Sequence, residues 1–348
     1  MEIFEFIELI PGLPSDLGLE CLTRLPHSAH RVALRVCSQW WRLLQSDEFY
    51  YHRKKTGHTR RVSCLVQAHQ QQPNHEEGEK PTGSVSPSFG ITVFDPESMS
   101  WDRVDPVPES PFGLPLFCQL ASCDGELVLM GGWDPASYEP LTAVFVYDFR
   151  TSRWRRGRDM PAKMSFFAVG SGHGRVYVAG GHDENKNALR TAWAYDPRSD
   201  EWSGLAPMSR ERDECEGTVV GDEFWVVSGY ATESQGMFDE SVEVFDFGSG
   251  KWRLVDGVWE PGRCPRSCAG IGKDGKAVNW SGVDPGLRVG VCGVVIGSRT
   301  LVTGSEYEGA QHGFYLVEME EGYKRKLRRI SVPDDFSGFV QSGCCVEI

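Results

Sequence analysis

The sequence has no long apolar run. None of its hydrophobic segments approaches the ~20 residues that a membrane-spanning helix requires, so no membrane partner is expected. The stretch MEIFEFIELI at the N-terminus contains Glu2, Glu5 and Glu8 but no basic residue, unlike the positively charged start of a secretory signal peptide. We therefore expect a protein of the cytoplasm, the nucleus or both.

The sequence also lacks the short motifs of common active sites. It contains neither a glycine-rich phosphate loop nor a nucleophile-elbow pattern. Its eleven cysteines are odd in number and scattered through predicted strands, as reduced intracellular thiols are. The tightest groups, Cys264 with Cys268 and Cys344 with Cys345, have no second pair or nearby histidine at zinc-finger spacing. We expect no metal, no cofactor and no catalytic residue.

The chain has fewer basic than acidic residues. The formal net charge is −13, from 36 Lys and Arg against 49 Asp and Glu. Residues 1–60 carry eight basic and seven acidic residues, so the remainder carries 28 against 42. Because an acidic surface repels a phosphate backbone, nucleic acid is not expected as a partner.

The chain does contain a repeat, in which an aromatic residue is followed seven positions later by tryptophan. The segments are VFDPESMSW (93–101), VYDFRTSRW (146–154), AYDPRSDEW (194–202) and VFDFGSGKW (244–252). Their leading aromatic residues are 53, 48 and 50 positions apart, a period that predicts stacked or radially arranged structural units. Such large rings are expected to pack between units rather than to form a site.

Each unit reads as four short antiparallel strands. Between 165 and 207, runs of about five residues rich in aromatic and β-branched types are bounded by Gly, Asp, Asn or Pro. A glycine pair such as Gly180 and Gly181 ends the second run, where the backbone needs positive φ or a close approach. The units are expected at about 61–104, 118–157, 166–205, 215–255 and 290–330, with 265–284 as a degenerate sixth.

Four-stranded units with a double glycine, an aromatic residue and a spaced tryptophan resemble the kelch family. The resemblance covers roughly residues 61–330 and implies an all-β kelch β-propeller of five or six blades. A propeller must close because an open ring exposes sheet edges. The first unit is short of a strand, so we expect FSGFVQSGCCVEI, near the C-terminus, to supply one. The polar stretch 67–88 is expected to be a disordered insertion.

Residues 1–55 instead show helical spacing of apolar residues, in a unit too small for a comfortable core. They resemble the F-box, whose pattern matches here at Leu13 and Pro14, Leu25 and Pro26, Val36, Cys37 and Trp40, and Phe49. Ser38 departs from the family, where a basic residue is common at this position. The resemblance implies a small α-helical F-box domain (1–55) ahead of the propeller (56–348). The alternative is an ordinary small helical core.

The F-box resemblance further implies docking onto the Skp subunit of a Skp–cullin–F-box (SCF) ubiquitin ligase, and through it onto cullin. By analogy, the residues that would contact the Skp-type adaptor are Leu13, Pro14, Leu17, Leu22, Leu25, Pro26, Val36, Cys37 and Trp40. Substrate recognition is expected in the propeller loops, because loops carry recognition while strands hold them. The candidates in these loops are Trp133, Tyr138, Arg158, Lys163, His182, Asn185, Arg210, Arg212, Tyr230, Arg263 and Arg266.

The combination of a short F-box and kelch repeats resembles the plant F-box/kelch family. That resemblance implies a non-catalytic adaptor that delivers a protein substrate, such as a phenylpropanoid-pathway enzyme or a cytokinin-response regulator, to ubiquitination and proteasomal degradation. Two alternatives stay open, a kelch propeller that acts as a non-ligase scaffold and a small-molecule enzyme. Binding of a Skp-type protein would favour the adaptor, whereas turnover of a small molecule by the lone chain would favour the enzyme.

Overall fold

The computed structural model describes residues 8–69, 88–110, 113–272, 275–319 and 325–348. The predicted insertion at 67–88 lies outside this range except at its ends, where residues 67 and 68 belong to the first strand. None of the helices in the described ranges is both long and apolar enough to cross a membrane.

Four short helices come first and form what we call the helical module. They are α1 (Ser15–Thr23), α2 (His27–Ala33), α3 (Ser38–Leu44) and α4 (Asp47–Thr56). Their inward side chains form a small core of Leu9, Leu22, Ala33, Leu43, Leu44 and Phe49. The Ser46 hydroxyl caps α4 by accepting from the Phe49 N–H at 3.2 Å, and Gly57, with φ of 74°, ends it in the left-handed conformation.

In the rest of the described chain, the regular secondary structure consists mainly of β-strands. In chain order they are β1 (Arg61–Ala68), β2 (Phe89–Asp95), β3 (Ser100–Arg103), β4 (Gln119–Cys123), β5 (Glu126–Met130), β6 (Val144–Asp148), β7 (Arg153–Gly157), β8 (Ala168–Gly172), β9 (Arg175–Ala179), β10 (Ala192–Asp196), β11 (Glu201–Gly204), β12 (Glu216–Val220), β13 (Glu223–Val227), β14 (Val242–Asp246), β15 (Lys251–Val255), β16 (Ala269–Ile271), β17 (Ala277–Asn279), β18 (Val289–Ile296), β19 (Arg299–Ser305), β20 (Gly313–Met319), β21 (Arg325–Arg329) and β22 (Val340–Glu347).

These strands form a five-bladed β-propeller. The four-stranded antiparallel blades are β22-β1-β2-β3, β4 to β7, β8 to β11, β12 to β15 and β18 to β21. A two-stranded sheet, β16-β17, lies between the fourth and fifth blades. The described residues of the predicted degenerate sixth unit, 265–284, contain these two short strands rather than a four-stranded blade.

The last strand closes the ring, as the sequence predicted. β22 pairs antiparallel with β1 and places Cys344 opposite Cys64. At the end of this ladder, the backbones of Arg60 and Ile348 exchange two hydrogen bonds of 2.8 Å. The first blade therefore takes its innermost strand from the far end of the sequence, and its β1 edge is covered.

The repeated aromatic residues and tryptophans are direct cross-strand pairs. Tyr195 lies opposite Trp202, for example, with ring centroids 4.9 Å apart, and Tyr147 and Trp154 show the same arrangement at 5.1 Å. The indole N–H of Trp202 donates to the carbonyl of Arg158, in the connection from the preceding blade, at 3.0 Å. Trp154 and Trp252 donate in the same way to Asp105 and Ala206, so these three tryptophans connect their blades to the preceding ones.

The glycine pairs are required by close backbone approach. Gly132 has φ of 84°, and a Cβ at this position would lie 2.6 Å from the carbonyl oxygen of Leu116. Any larger residue would displace the connection that leads into the second blade.

The two ends of the propeller differ. Within the described residues, the short turns that join the first strand of a blade to the second and the third to the fourth, such as those after β4 and β6, gather at one end, which we call the turn end. The longer described connections, such as those between β5 and β6 and between blades, gather at the other, the loop end.

The helical module packs against the turn end, mainly through α4. The Tyr50 hydroxyl donates to the Glu347 carbonyl at 3.2 Å, and the Tyr51 hydroxyl donates to the Asp124 carboxylate at 3.1 Å. Arg150, in the turn after β6, forms an ion pair with Asp47. These three contacts join the helical module directly to the propeller.

Candidate functional site

Large apolar side chains of the helical module face solvent. Leu17, Val32, Val36 and Trp41 are 51, 70, 59 and 47% exposed, and we call these four residues the docking face. Among the other predicted Skp contacts, Pro14, Pro26 and Cys37 are exposed and Leu13 and Leu25 are half-buried. Apolar exposure on this scale in so small a unit is typical of a protein-binding surface.

The structure corrects two assignments in the module. Leu22 is almost completely buried among the module's own core residues, so the prediction that it contacts a partner is wrong. Trp40 is half-buried, and its indole N–H donates to the Leu9 carbonyl at 2.7 Å, so it also stabilises the module. The sequence-based set omitted Val32 and Trp41, although the four-residue spacing of Val32 and Val36 marks a shared helical stripe.

All eleven predicted substrate contacts lie at the loop end, but their exposure differs. The exposed ones are Tyr138, Arg158, Lys163, Asn185, Arg210 and Arg263, the half-buried ones are Trp133 and Arg266, and the buried ones are His182, Arg212 and Tyr230. The loop end therefore brings the set to one side of the molecule, and three members belong to its interior.

Arg212 is a structural residue, and the prediction that it contacts substrate is wrong. Its side chain is 1% exposed. It donates to the Ser228 carbonyl at 2.7 Å and to the Ser241 hydroxyl at 2.7 Å, and it lies 3.5 Å from the Glu243 carboxylate. It holds the connection that precedes β12 against the connection that precedes β14.

His182 and Tyr230 are likewise held inside the loop end, which corrects their placement as exposed contacts. His182 Nδ1 lies 2.9 Å from both carboxylate oxygens of Asp213. The Tyr230 hydroxyl donates to Glu214 Oε1 at 3.2 Å, and burial is the main cause that raises the pKa of this phenol. Both side chains position acidic neighbours rather than meeting solvent.

The exposed predicted cations mostly have acidic partners. Arg210 forms an ion pair with Asp239 at 2.9 Å, and Arg263 forms one with Glu260 at 3.2 Å. Lys163 lies 3.7 Å from Glu184. Exposed pairs of this kind contribute roughly 0–1 kcal/mol, and they leave these cations available to a partner only at the expense of the existing pair.

An aromatic group lies at one side of the channel mouth at the loop end, beside the connections that lead into β4 and β8. The rings of Phe117, Trp133 and Phe166 lie 5.2 to 5.5 Å apart, centroid to centroid. Arg266 places its guanidinium 4.0 Å from the Phe166 centroid and 5.6 Å from that of Phe117. We call these four residues the mouth cluster.

The sequence-based set of substrate contacts did not include the backbone position that leads into the innermost strand of several sheets at this mouth. Phe117, Phe166, Glu214 and Ser267 each lie two residues before the innermost strand of their sheet, and their φ values are 58, 55, 50 and 57°. Such left-handed residues cost ~1–3 kcal/mol each, so the surrounding packing must hold them. Their spacing of about one repeat was the available signal.

Below the mouth, the channel is a cavity of about 420 Å³ lined by the innermost strands. Glu216, on β12, contributes a carboxylate to its wall. The Gly217 N–H donates to this carboxylate at 3.2 Å, and the Ser267 N–H donates to it as well. Burial raises the pKa of Glu216 to about 7, so the group is partly protonated near neutral pH.

The thiols of the propeller are poor nucleophiles. Burial raises the pKa of Cys118 and of Cys215 to about 12 and that of Cys264 to about 11, so these thiols remain protonated near neutral pH. Within the described ranges, no three His, Cys, Asp or Glu side chains come together as a metal site would require.

Comparison with known proteins identifies the repeats and the family. A family model described as "Kelch motif" matches residues 116–161 and 163–209. The Arabidopsis thaliana protein "F-box/kelch-repeat protein At1g80440" is 39% identical over 98% of this chain and 100% of its own length, and "F-box/kelch-repeat protein At1g15670" is 35% identical over the same shares. A third Arabidopsis relative, "F-box/kelch-repeat protein At2g44130", is 40% identical over 74% of this chain and 68% of its own length. The chain therefore belongs to the F-box/kelch-repeat protein family.

Proposed function

We propose that this protein is the substrate-recognition subunit of an SCF E3 ubiquitin ligase. The helical module docks onto a Skp-type adaptor, which connects it to cullin. The loop end of the propeller captures a protein substrate, which is then ubiquitinated and degraded by the proteasome.

The observation that carries this proposal is the docking face. Its four side chains remain exposed although α4 of the same module is already packed on the propeller. An ordinary small helical core would turn such residues inward, whereas a unit that completes its core on a partner leaves them outside. The F-box named in the relatives is the kind of unit for which a Skp-type partner is expected.

The geometry suits an adaptor because its two surfaces lie apart. The helical module occupies the turn end, and the predicted substrate contacts lie at the loop end. Direct contacts of α4 with Asp124 and Glu347 hold the module against the propeller. A substrate on the loop end is therefore presented at a fixed position relative to the docked ligase.

Catalysis is assigned to the recruited partners. The thiols with raised pKa values are unsuited to carrying ubiquitin as a thioester, since the thiolate is the reactive form. For the substrate, resemblance to the plant F-box/kelch family favours a phenylpropanoid-pathway enzyme or a cytokinin-response regulator. Affinity purification from plant tissue with the proteasome inhibited is the experiment that identifies it.

Skp binding is tested with the purified full chain and a Skp-type protein. Trp41→Ala and Val36→Asp change the docking face without touching the module's core, and each should weaken binding by at least ~2 kcal/mol if these residues are hot spots. The matched control is Tyr138→Ala, which removes a similarly exposed aromatic side chain at the loop end. Unchanged Skp binding by both docking-face variants would contradict the proposal and favour the scaffold alternative.

A further inference from the structure

Arg266 is an unusual arginine of the loop end. It belongs to the connection between the fourth blade and β16, and its guanidinium carbon lies 4.0 Å from the centroid of the Phe166 ring at the loop end. Its side chain is 25% exposed, so the group is neither buried like Arg212 nor free in solvent like a loop-tip cation. This close cation–π contact favours one position of the guanidinium before any partner arrives.

The guanidinium of Arg266 makes one long polar contact within the described residues. It is an ion pair with Glu214 at 3.9 Å, which is longer than a hydrogen bond. Arg263, in the same connection, donates instead to the Glu260 carboxylate and the Ser281 hydroxyl. A planar guanidinium has five N–H donors in a fork that fits a carboxylate with two parallel bonds, so Arg266 holds this fork preformed and unsaturated.

The acidic groups around Arg266 have partners of their own. Glu214 accepts from the Tyr230 hydroxyl, and Asp213 is paired with His182. Glu216 accepts from two backbone N–H groups. An incoming carboxylate therefore competes mainly with the long contact to Glu214.

We propose that Arg266 is the point at which the loop end recognises a carboxylate of its substrate, with the half-buried rings of Phe117 and Trp133 as the surface on which the neighbouring part of the substrate packs. The Phe166 ring is buried beneath Arg266 and supports it. The proposal rests on the proposed function, in that it takes the loop end as the substrate face. The carboxylate comes from an Asp or Glu side chain or from a chain terminus, and the chemistry at Arg266 is the same for both. The aromatic rings exclude water from one side of the contact, which strengthens a charge-assisted pair.

The test titrates the full chain, labelled with ¹⁵N-arginine, with short capped peptides. The probes are acetyl-Gly-Glu-Gly-amide, its Gln counterpart, and acetyl-Gly-Gln-Gly with a free terminal carboxylate. We expect the Nε–H resonance of Arg266, assigned by its loss in Arg266→Gln, to shift saturably with at least one carboxylate peptide and not with the Gln amide. The response of the two carboxylate peptides distinguishes a side-chain source from a terminal one.

Two variants decide between recognition and a structural role. Arg266→Gln should abolish peptide binding. The matched variant Arg253→Gln, which changes an arginine 5.6 Å from the Trp225 centroid on the outer strand of the fourth blade, should retain it. Glu214→Gln removes the competing carboxylate and should tighten binding several-fold, and it keeps the test decisive if Arg266→Gln does not fold. Equal responses to the Glu and Gln peptides, or no saturable shift in the wild type and in Glu214→Gln, would overturn the inference. Skp binding is measured separately at the docking face, so this failure is distinguishable from failure of the proposed function.

Discussion

The helical module and the propeller differ in how far their large apolar side chains are exposed. In the propeller, the repeated aromatic residues are buried against their cross-strand tryptophans, and the exposed apolar side chains at the loop end, such as Tyr138, Met237 and Tyr307, lie singly on different blades. In the module, Val32 on α2, Val36 in the turn between α2 and α3, and Trp41 on α3 are all exposed.

This difference shows that the two parts reach stability in different ways. The propeller completes its own core and displays mainly polar side chains, so it can recognise a partner without depending on it. The module encloses a small core and leaves apolar surface uncovered, so burial of that surface is available for binding a partner. The following predictions test this contrast, beginning with the largest expected change in stability.

Removal of residues 336–348 should prevent the propeller from folding stably. The deletion takes away β22 and the buried side chains of Val340 and Val346, and it leaves β1 as an open edge. We expect aggregation or loss of the cooperative thermal transition, measured by calorimetry and light scattering. The comparison is a chain lacking residues 1–57, which retains all five blades and should still melt cooperatively. Similar melting of the full chain and the 336–348 deletion would contradict the importance of ring closure.

Substitution of two nearby arginines should show that a buried ion pair contributes more to the free energy of unfolding than an exposed one. Arg212→Ala leaves the buried Glu243 without its charge partner, which should cost about 3–5 kcal/mol of unfolding free energy. Arg210→Ala breaks an exposed pair with Asp239 and should cost at most ~1 kcal/mol. Urea denaturation of both variants measures the difference, and equal costs would show that Arg212 is not the structural residue described here.

Acidification should destabilise the helical module. Burial lowers the pKa of His27 to about 4 and that of His30 to about 3, with repulsion from Arg53 as the next cause, against 6.5 for an ordinary histidine. The unfolded chain therefore binds more protons, and the stabilisation is complete above about pH 6.5 and is lost as pH falls toward 4.

For His27 alone this loss is on the order of 3 kcal/mol by pH 4. His27→Phe should flatten the dependence of the denaturation midpoint on pH between 6.5 and 4. An identical pH dependence in the variant and the wild type would contradict the assignment.

The adjacent tryptophans should show the smallest effects on stability and the clearest contrast within the module. Trp40→Ala removes a half-buried ring and its hydrogen bond to Leu9, which should cost roughly 2 kcal/mol. Trp41→Ala removes an exposed ring and should change unfolding free energy by less than ~0.5 kcal/mol. Thermal denaturation of both variants provides the check, and a larger cost for Trp41 would assign it to the core.

The sequence predicted the architecture well because the repeat reports packing directly. The leading aromatic residue and the tryptophan of the motif are cross-strand partners, as Phe94 with Trp101 and Phe245 with Trp252 show. The spacing of the motif therefore located the blades. The glycine pairs and the closing strand followed from the same geometric needs.

The site was predicted less well because exposure of a loop residue depends on contacts distant in sequence. Arg212 and Arg266 are both arginines near the start of a sheet, yet one is enclosed by Ser228, Ser241 and Glu243 and the other lies on the Phe166 ring. Leu22 and Leu17 lie on the same helix and differ in burial for a similar reason. No local pattern distinguishes these environments.

The pairing of β22 with β1 also constrains how this protein is made. During synthesis, β1 leaves the ribosome long before its neighbour β22 has been translated. The Tyr50 hydroxyl likewise lacks its acceptor until Glu347 has been translated. A nascent or prematurely terminated chain can expose its docking face but cannot close the ring. Each round of translation therefore passes through a form in which the helical module is already made but the ring is still open at β1.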